Sequence, residues 1–229
     1  MTVRVKGFWS KSIIAITACI YVQTQAIALN VARSDILLHI VSQCVDPSKE
    51  NYCSNCMLPR RDSSCGVFEC KKTNEVWALN SKYAAIRDIK MCGCPTDFVH
   101  GLAMPREVVT GIEDLNRQED IWQFAWDTAI ERIESESVAL AVNPKSQRTQ
   151  NQLHIHLVRL DKNARANFLQ HSPLYVNNLE QVWALAEKDA NAKGINDYGV
   201  LVAQQSAGKY LIITTPTSPE AAFTQWTCN

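Results

Sequence analysis

The sequence predicts an α+β domain built on a mainly antiparallel β-sheet that helices cover. Short apolar segments with strand character alternate along the chain with amphipathic segments of helical period. The segments between them are short enough for hairpins, which suits antiparallel pairing. The chain has 229 residues, of which 46% are hydrophobic and 20% charged. This length and composition suit one domain with additions, or at most two small ones, with a sizeable core.

The first 28 residues are predicted to be an export signal. Three basic residues precede the apolar run SIIAITACIYV, which is short for a bilayer span. Small residues end the segment at Ala26-Ile27-Ala28, where a signal peptidase would cut. We predict cleavage after Ala28, with an uncleaved anchor as the alternative. The mature chain, residues 29–229, is then expected to be one exported domain.

The cysteines agree with export. The chain has nine cysteines, and removal of Cys19 with the signal leaves eight, an even number. In an oxidising compartment eight cysteines allow up to four disulfides. Most of them fall in a polar segment, residues 44–94, which we interpret as a stapled N-terminal insertion in the domain. Cys228, if paired, must reach far back along the chain.

Zinc binding is the competing interpretation of these cysteines. Cys53-x-x-Cys56 has the spacing of a pair of zinc ligands. Cys92-x-Cys94 is tight for a zinc knuckle, and no histidine lies among the cysteines. These two observations favour disulfides.

The first half of the chain is predicted to contain one helix and three strands. A helix is expected over 31–45, where apolar residues recur at i, i+1, i+4 and i+5. Strands are expected at 75–79, 83–89 and 97–105. Pro105 should end the last of these, since proline lacks an amide donor.

A longer helix follows in the middle of the chain. Residues 121–133 place apolar side chains along one helical face, and Trp122 and Trp126 are expected in the core. The remaining elements are predicted as strands 137–143 and 151–159, helices 161–170 and 179–193, and a closing hairpin over 198–216.

The strand at 151–159 carries the residues of greatest chemical interest. Successive strand side chains point to opposite faces, so Gln152, His154 and His156 should share one face. Leu153, Ile155 and Leu157 should occupy the other face, towards the core. From the spacing alone, a catalytic pair, a pair of metal ligands and an ordinary surface pair all remain open.

The surrounding residues suit phosphate chemistry. A neutral imidazole is a competent nucleophile near pH 7. Arg148 can bind a phosphate through two N–H groups, and Asn143 and Thr149 supply neutral donors. Nucleic acid is not expected as a partner, because Lys plus Arg and Asp plus Glu both number 23 and no basic run occurs.

The motifs around the histidines resemble one known family. LHIHLV with RTQN just before it, the strand VHGLAMPR, and the segment LAMPREVVTGIED are similar to CDP-diacylglycerol pyrophosphatase, in the histidine triad (HIT-like) superfamily. The closing hairpin YGVLVAQQSAGKYLIITTP resembles that family too. The resemblance implies a HIT-like fold, hydrolysis of CDP-diacylglycerol to CMP and phosphatidate, and no cofactor or metal. It also implies a membrane surface as partner, and a location in the periplasm or on the outer face of the bacterial inner membrane.

The resemblance also implies roles for individual residues. His154 matches the nucleophile, which would form a nucleotidyl-histidine, and His156 matches the histidine that assists it. The positions expected to bind substrate are Asn143, Arg148, Thr149, Gln150, Gln152 and His100.

The chain departs from the family pattern at three positions that bear on substrate choice, one of which is Arg106, where the family has Thr or Lys after the proline. Gln152 replaces the first triad histidine, and Gly101 replaces a large apolar residue. The alternatives are therefore a HIT-like hydrolase or transferase acting on another nucleotide diphosphate ester, and a nucleotide-binding module that has lost catalysis.

Overall fold

The computed structural model describes residues 34–45, 75–91 and 93–228. In these residues eight strands form a single sheet in the order β1-β2-β3-β5-β4-β7-β8-β6. Every pairing of neighbouring strands is antiparallel. The prediction of an α+β fold with a mainly antiparallel sheet is confirmed. The predicted signal segment and cysteines 53 to 70 and 92 lie outside the described residues.

The elements have the following bounds. The strands are β1 (Val76–Leu79), β2 (Tyr83–Arg87), β3 (His100–Pro105), β4 (Val138–Val142), β5 (Ile155–Arg159), β6 (Leu174–Val176), β7 (Gly199–Ser206) and β8 (Lys209–Thr215). The α-helices are α1 (Ile36–His39), α2 (Ile121–Ile130), α3 (Ala164–Asn167), α4 (Val182–Ala192) and α5 (Pro219–Phe223). A π-helical turn, Ile40–Cys44, continues α1, and the 3₁₀ turns are Ile89–Met91, Ser135–Ser137, Lys145–Gln147, Phe168–His171 and Leu179–Gln181.

The two longest helices, α2 and α4, cover one face of the sheet. Trp122 of α2 and Trp183 of α4 are both buried, and their ring centroids lie 4.6 Å apart. Leu153, Ile155 and Leu157 join this cluster, as the predicted alternation requires. Each buried large apolar side chain of this kind contributes about 1.5–3 kcal/mol. This face therefore supplies much of the core, and it leaves the histidines to the opposite face.

Gly101 also belongs to the helix-covered side of the sheet. A Cβ atom at Gly101 would lie only 2.0 Å from the ring of Trp77. The glycine thus makes room for a tryptophan, and its departure from the family pattern is explained by packing.

The second face carries two separate apolar clusters with a gap between them. The N-terminal cluster comprises Leu37, Ile40, Val41, Val45, Val76, Ala84, Ile86, Leu102 and Met104. The C-terminal cluster comprises Ala139, Ala141, Val158, Leu160, Ala164, Phe168, Leu201, Ala203, Leu211, Ile213 and Phe223. In β3 and β5, His100 and His156 alternate with residues of the opposite face, so they share this second face with Leu102 and Val158. The polar residues of the histidine strand therefore lie where the two clusters meet.

The histidine strand is shorter than predicted. Residues 151–159 were expected to be extended and paired, but β5 begins at Ile155 and His154 lies just before it. The ladder with β3 pairs Ala103 with Ile155 and stops there, close to Pro105. Proline has no N–H to continue the ladder. The backbone of Leu153 instead donates to the carbonyl of Val109, at 2.6 Å.

Two short elements near the C-terminus were not predicted. β6, of three residues, pairs with the edge of β8, and α5, of five residues, packs Phe223 into the C-terminal cluster. The helix predicted over 161–170 is also broken into α3 and a 3₁₀ turn.

A disulfide joins Cys94 to Cys228 across 134 residues of sequence. It confirms that Cys228, when paired, reaches far back along the chain. Cys94 is consequently not free to bind zinc. Within the residues described, no helix has the length and apolar character needed to cross a membrane.

Candidate active site

His154 is held with one ring nitrogen bound and the other available. Its Nδ1 lies 2.7 Å from the backbone carbonyl oxygen of Gln152. A carbonyl can only accept, so Nδ1 carries the proton and Nε2 carries the lone pair. Among the described residues Nε2 has no hydrogen-bond partner. Burial lowers the pKa of His154 below its usual 6.5, more than the Gln152 carbonyl and neighbouring carboxylates raise it. The ring is therefore neutral at neutral pH, as a nucleophile must be.

A cavity of about 440 Å³ opens beside this histidine. It lies between the start of α1, the 3₁₀ turn after β2, the loop after β4 and helix α5. The predicted site residues that line it are His154, His156, Asn143, Arg148, Thr149 and Gln150. The further polar lining residues are Asp88, Lys90, Gln147, Ser218 and Glu220, and the apolar ones are Ile36, Leu37, Ile89, Leu102, Ala221 and Trp226. The structure thus brings six of the eight predicted residues to one cavity.

His156 uses both ring nitrogens inside the protein. Its Nδ1 lies 3.1 Å from Nε2 of His100, and its Nε2 lies 3.3 Å from Oε2 of Glu220. Its ring is T-shaped against that of His154, with centroids 4.9 Å apart. Burial, together with His154, His100 and Lys90, holds the pKa of His156 well below 6.5. His156 is therefore a neutral neighbour of His154 that is fixed by two partners.

His100 lies behind His156 and does not line the cavity. It is fully buried, and its Nε2 is also 3.3 Å from a carboxylate oxygen of Asp88 and 3.3 Å from one of Glu220. Burial, with help from Lys90, lowers the pKa of His100 to about 3. Burial also raises the pKa of Asp88. The structure gives His100 contact with His156 and places it away from the lining.

Gln152 contributes its backbone to the site, while its side chain points elsewhere. The side-chain amide donates to the carbonyls of Pro105 and Glu107, at 2.8 and 2.7 Å, and accepts from the amide of Val109 at 3.4 Å. Gln152 thus anchors the loop after β3, and this anchor holds the carbonyl that orients His154. The Gln152 side chain does not line the cavity that the described residues form.

The loop after β4 is fixed by an ion pair. Both terminal nitrogens of Arg148 donate to the carboxylate of Glu113, at 2.8 and 2.7 Å. Burial raises the pKa of Glu113, but the bonds from Arg148 outweigh it and the net pKa is lowered. A Cβ atom on Gly111 would lie 1.8 Å from Nη1 of Arg148. The spacing Gly-x-Glu at 111–113 therefore makes both the space and the partner for this arginine.

The same loop also binds the N-terminal helix. The side-chain oxygen of Gln150 accepts from the amide of Leu37 at 3.1 Å. The amide nitrogen of Asn151 donates to the side chain of Asp35 at 2.8 Å. These bonds hold the start of α1 against the loop, and Leu37 lines the cavity.

Three groups could hold a divalent cation. Asp88, His100 and His156 each present one ligand atom, and the three atoms lie within 4.8 Å of one another. Nε2 of His100 also lies 3.1 Å from Nδ1 of His156 and 3.3 Å from a carboxylate oxygen of Asp88, so these groups contact one another directly as well.

Sequence reasoning missed the charged residues Asp88, Lys90 and Glu220. Nothing near Asp88 and Lys90 in the sequence connects them with the histidine strand. Glu220 follows Ser218-Pro219, and a serine cap followed by proline is a usual signal for a helix start. That signal could have located α5, although it could not have placed the helix beside His156.

A comparison with known protein families gives a match that includes the histidine strand and the loop before it. The family model for CDP-diacylglycerol pyrophosphatase matches residues 32–198, more than half of the chain. No curated protein gives a significant match.

Proposed function

Because the chain belongs to the CDP-diacylglycerol pyrophosphatase family, whose members are hydrolases of phosphorus-containing anhydrides, we propose that it hydrolyses CDP-diacylglycerol through a nucleotidyl-histidine intermediate. The observation that carries the proposal is the hydrogen bond of 2.7 Å between Nδ1 of His154 and the Gln152 carbonyl. This bond fixes the tautomer in which Nε2 can attack.

In the first step, Nε2 of His154 attacks the phosphorus of the cytidylyl group. The P–N bond forms as the bond to the bridging oxygen breaks, and phosphatidate leaves with the electron pair. Nδ1 keeps its proton on the carbonyl of Gln152, so the imidazole takes a positive charge.

In the second step, water attacks the same phosphorus from the side opposite the P–N bond. The P–N bond breaks, its electron pair returns to Nε2, a water proton is released, and CMP leaves. A covalent intermediate of this kind divides one difficult displacement into two easier ones. Neither step needs a metal or a cofactor.

The phosphates would bind to donors along the cavity wall. Thr149 is exposed at the wall, and the ammonium of Lys90 also lines it. Asn143 and Arg148 reach the cavity with part of their donors already engaged by Glu220 and Glu113. Rigid donors of this kind favour the charge that develops in a transition state over the charge of the bound substrate.

The lip of the cavity supports the expected membrane surface. Ile89 and Trp226 line the cavity and are 38% and 41% exposed. The ammonium of Lys90 lies 5.1 Å from the centre of the Trp226 ring. Tryptophan and lysine are both favoured at membrane–water interfaces. We propose that this lip meets the bilayer, that the protein is exported to the periplasm or the outer face of the inner membrane, and that its domain is HIT-like.

The test measures CMP release from CDP-diacylglycerol in mixed micelles, for wild type and for His154→Ala. We expect the variant to lose at least about 1,000-fold in kcat, because no other group in the cavity replaces the nucleophile. His39→Ala is the matched control, since His39 is exposed on α1, and it should keep wild-type activity.

Rapid quenching at alkaline pH, followed by peptide mass spectrometry, should find the nucleotidyl group on His154. Absence of CMP release by wild type, or full activity of His154→Ala, would sink the proposal. Comparing the lipid substrate with water-soluble CDP esters tests the leaving group: a preference for the soluble ester would contradict a lipid substrate.

A further inference from the structure

The C-terminal helix α5 carries a buried carboxylate into the wall of the cavity. The hydroxyl of Ser218 caps the helix by accepting from the amide of Ala221 at 3.1 Å, and Pro219 occupies the first turn. Glu220 therefore has a fixed place at the start of the helix. It lies beyond residues 32–198, the part of the chain that the family model matches.

The carboxylate of Glu220 contacts side chains from three other parts of the fold. It is 4% exposed, and it forms an ion pair with the ammonium of Lys90. Its other oxygen accepts from the side-chain amide of Asn143 at 2.7 Å and lies 3.3 Å from Nε2 of His156. Ser218 adds a second hold on Asn143, since its hydroxyl donates to the amide oxygen at 2.7 Å. One short helix thus fixes three groups that line the cavity.

These contacts also fix the position of His156. Its Nε2 lies 3.3 Å from a carboxylate oxygen of Glu220 and 3.4 Å from the side-chain nitrogen of Asn143, which Glu220 itself holds. Its Nδ1 lies 3.1 Å from Nε2 of His100. Glu220 therefore orients His156 both directly and through Asn143.

The charge of Glu220 also suits the proposed chemistry. The ring of His154 becomes positive when it is bonded to phosphorus, and it stacks edge to face on the ring of His156, which Glu220 holds. Glu220 and Asp88 both act to raise the pKa of His154, against the effect of burial. A fixed negative charge that favours the positive ring lowers the barrier to the intermediate.

We infer that Glu220 is a positioning residue of this hydrolysis, which orients His156 and Asn143 and stabilises the positive charge that His154 acquires. The inference rests on the proposed function, because the positive charge arises only if His154 forms the intermediate.

The test compares Glu220→Gln and Glu220→Asp with wild type in the CMP-release assay. Glutamine keeps the size of the side chain and removes its charge, and we expect kcat to fall about 100-fold while KM stays within about threefold. Aspartate keeps the charge, and we expect it to recover at least about tenfold of that loss. Glu131→Gln is the control, because Glu131 is an exposed glutamate whose ion-pair partner, among the residues that the structure describes, is its neighbour Arg132.

A kcat for Glu220→Gln within about threefold of wild type would overturn the inference. Equal losses of kcat in the glutamine and aspartate variants would also overturn it. In that case the negative charge, which only aspartate keeps, would make no difference to catalysis. If Glu220→Gln does not fold, Ser218→Ala replaces it, because it removes a helix cap and the bond to Asn143 and leaves the carboxylate. Its kcat should fall about tenfold, and a wild-type kcat would again overturn the inference.

The two proposals fail in different ways. If wild type releases no CMP or no adduct forms on His154, the proposed function is wrong. If wild type is active, His154→Ala is inactive and Glu220→Gln is fully active, only the role of Glu220 is wrong.

Discussion

Replacing Cys94 and Cys228 by serine should cost a large part of the stability of this domain. The disulfide joins two residues 134 apart, and it holds the C-terminal segment that follows α5 against the turn after β2. The sequence contains no cysteine between these two positions. No other crosslink can therefore shorten the loop that this bond closes in the unfolded chain.

The size of the effect follows from the length of that loop. A crosslink restricts the unfolded chain, and the loop-entropy relation gives about 5 kcal/mol at 25 °C for a loop of 134 residues. Measured disulfides often deliver less than this relation predicts. We therefore expect the double variant to lose about 2–5 kcal/mol in its free energy of unfolding.

The assay is urea unfolding followed by tryptophan fluorescence, on wild type, both single serine variants and the double variant. Each single variant breaks the same bond, so all three should be destabilised equally, within about 0.5 kcal/mol. A loss below about 1 kcal/mol would refute the reasoning from loop entropy. Losses in the double variant that equal the sum of the single losses would show that side-chain packing, and not the crosslink, is responsible.

Two further predictions concern the loop after β4 and the buried histidines. Gly111→Ala should displace Arg148, whose Nη1 would lie 1.8 Å from the new Cβ, and lower kcat/KM for CMP release about 10–100-fold; unchanged kcat/KM would contradict this. His100 has a pKa of about 3 when folded and 6.5 when unfolded, so the unfolded chain gains the proton first and stability falls with acidification. Its share between pH 7 and pH 5 is about 2 kcal/mol. Urea unfolding at pH 7 and pH 5, in a buffer with chelator, measures the free energy of unfolding of wild type and His100→Asn. Between these pH values the variant should lose about 2 kcal/mol less than wild type. The same pH dependence in both proteins would refute this prediction.

The elements that sequence reasoning predicted well are those with long periodic patterns. Helix α2 and the closing hairpin occur where they were expected, because each helix or strand has at least seven residues, enough to show its apolar pattern. The three residues of β6 and the five of α5 are too few to show a period. The start of β5 was misjudged because it depends on where its partner β3 ends, at Pro105, which is a property of the pair.

The site divides in the same way. His154, His156 and the loop before them lie within 14 residues of Asn143, so one motif could bring them together. Glu220 is 77 residues from Asn143 and 130 from Lys90, and no local pattern links such positions. The low pKa values of the histidines likewise come from burial, which depends on the whole fold.

The sequence by itself determined which side chains of the histidine strand share a face, because alternation in an extended chain depends only on neighbouring residues. Its motifs also indicated the family, which the family model confirms, and predicted His154 as the nucleophile. Only the tertiary structure decided what each group faces: the Gln152 side chain binds the loop after β3, and both nitrogens of His156 are used inside the protein. The carboxylate behind His156 comes from the far end of the chain. These contacts join residues that are distant in sequence, so packing alone establishes them.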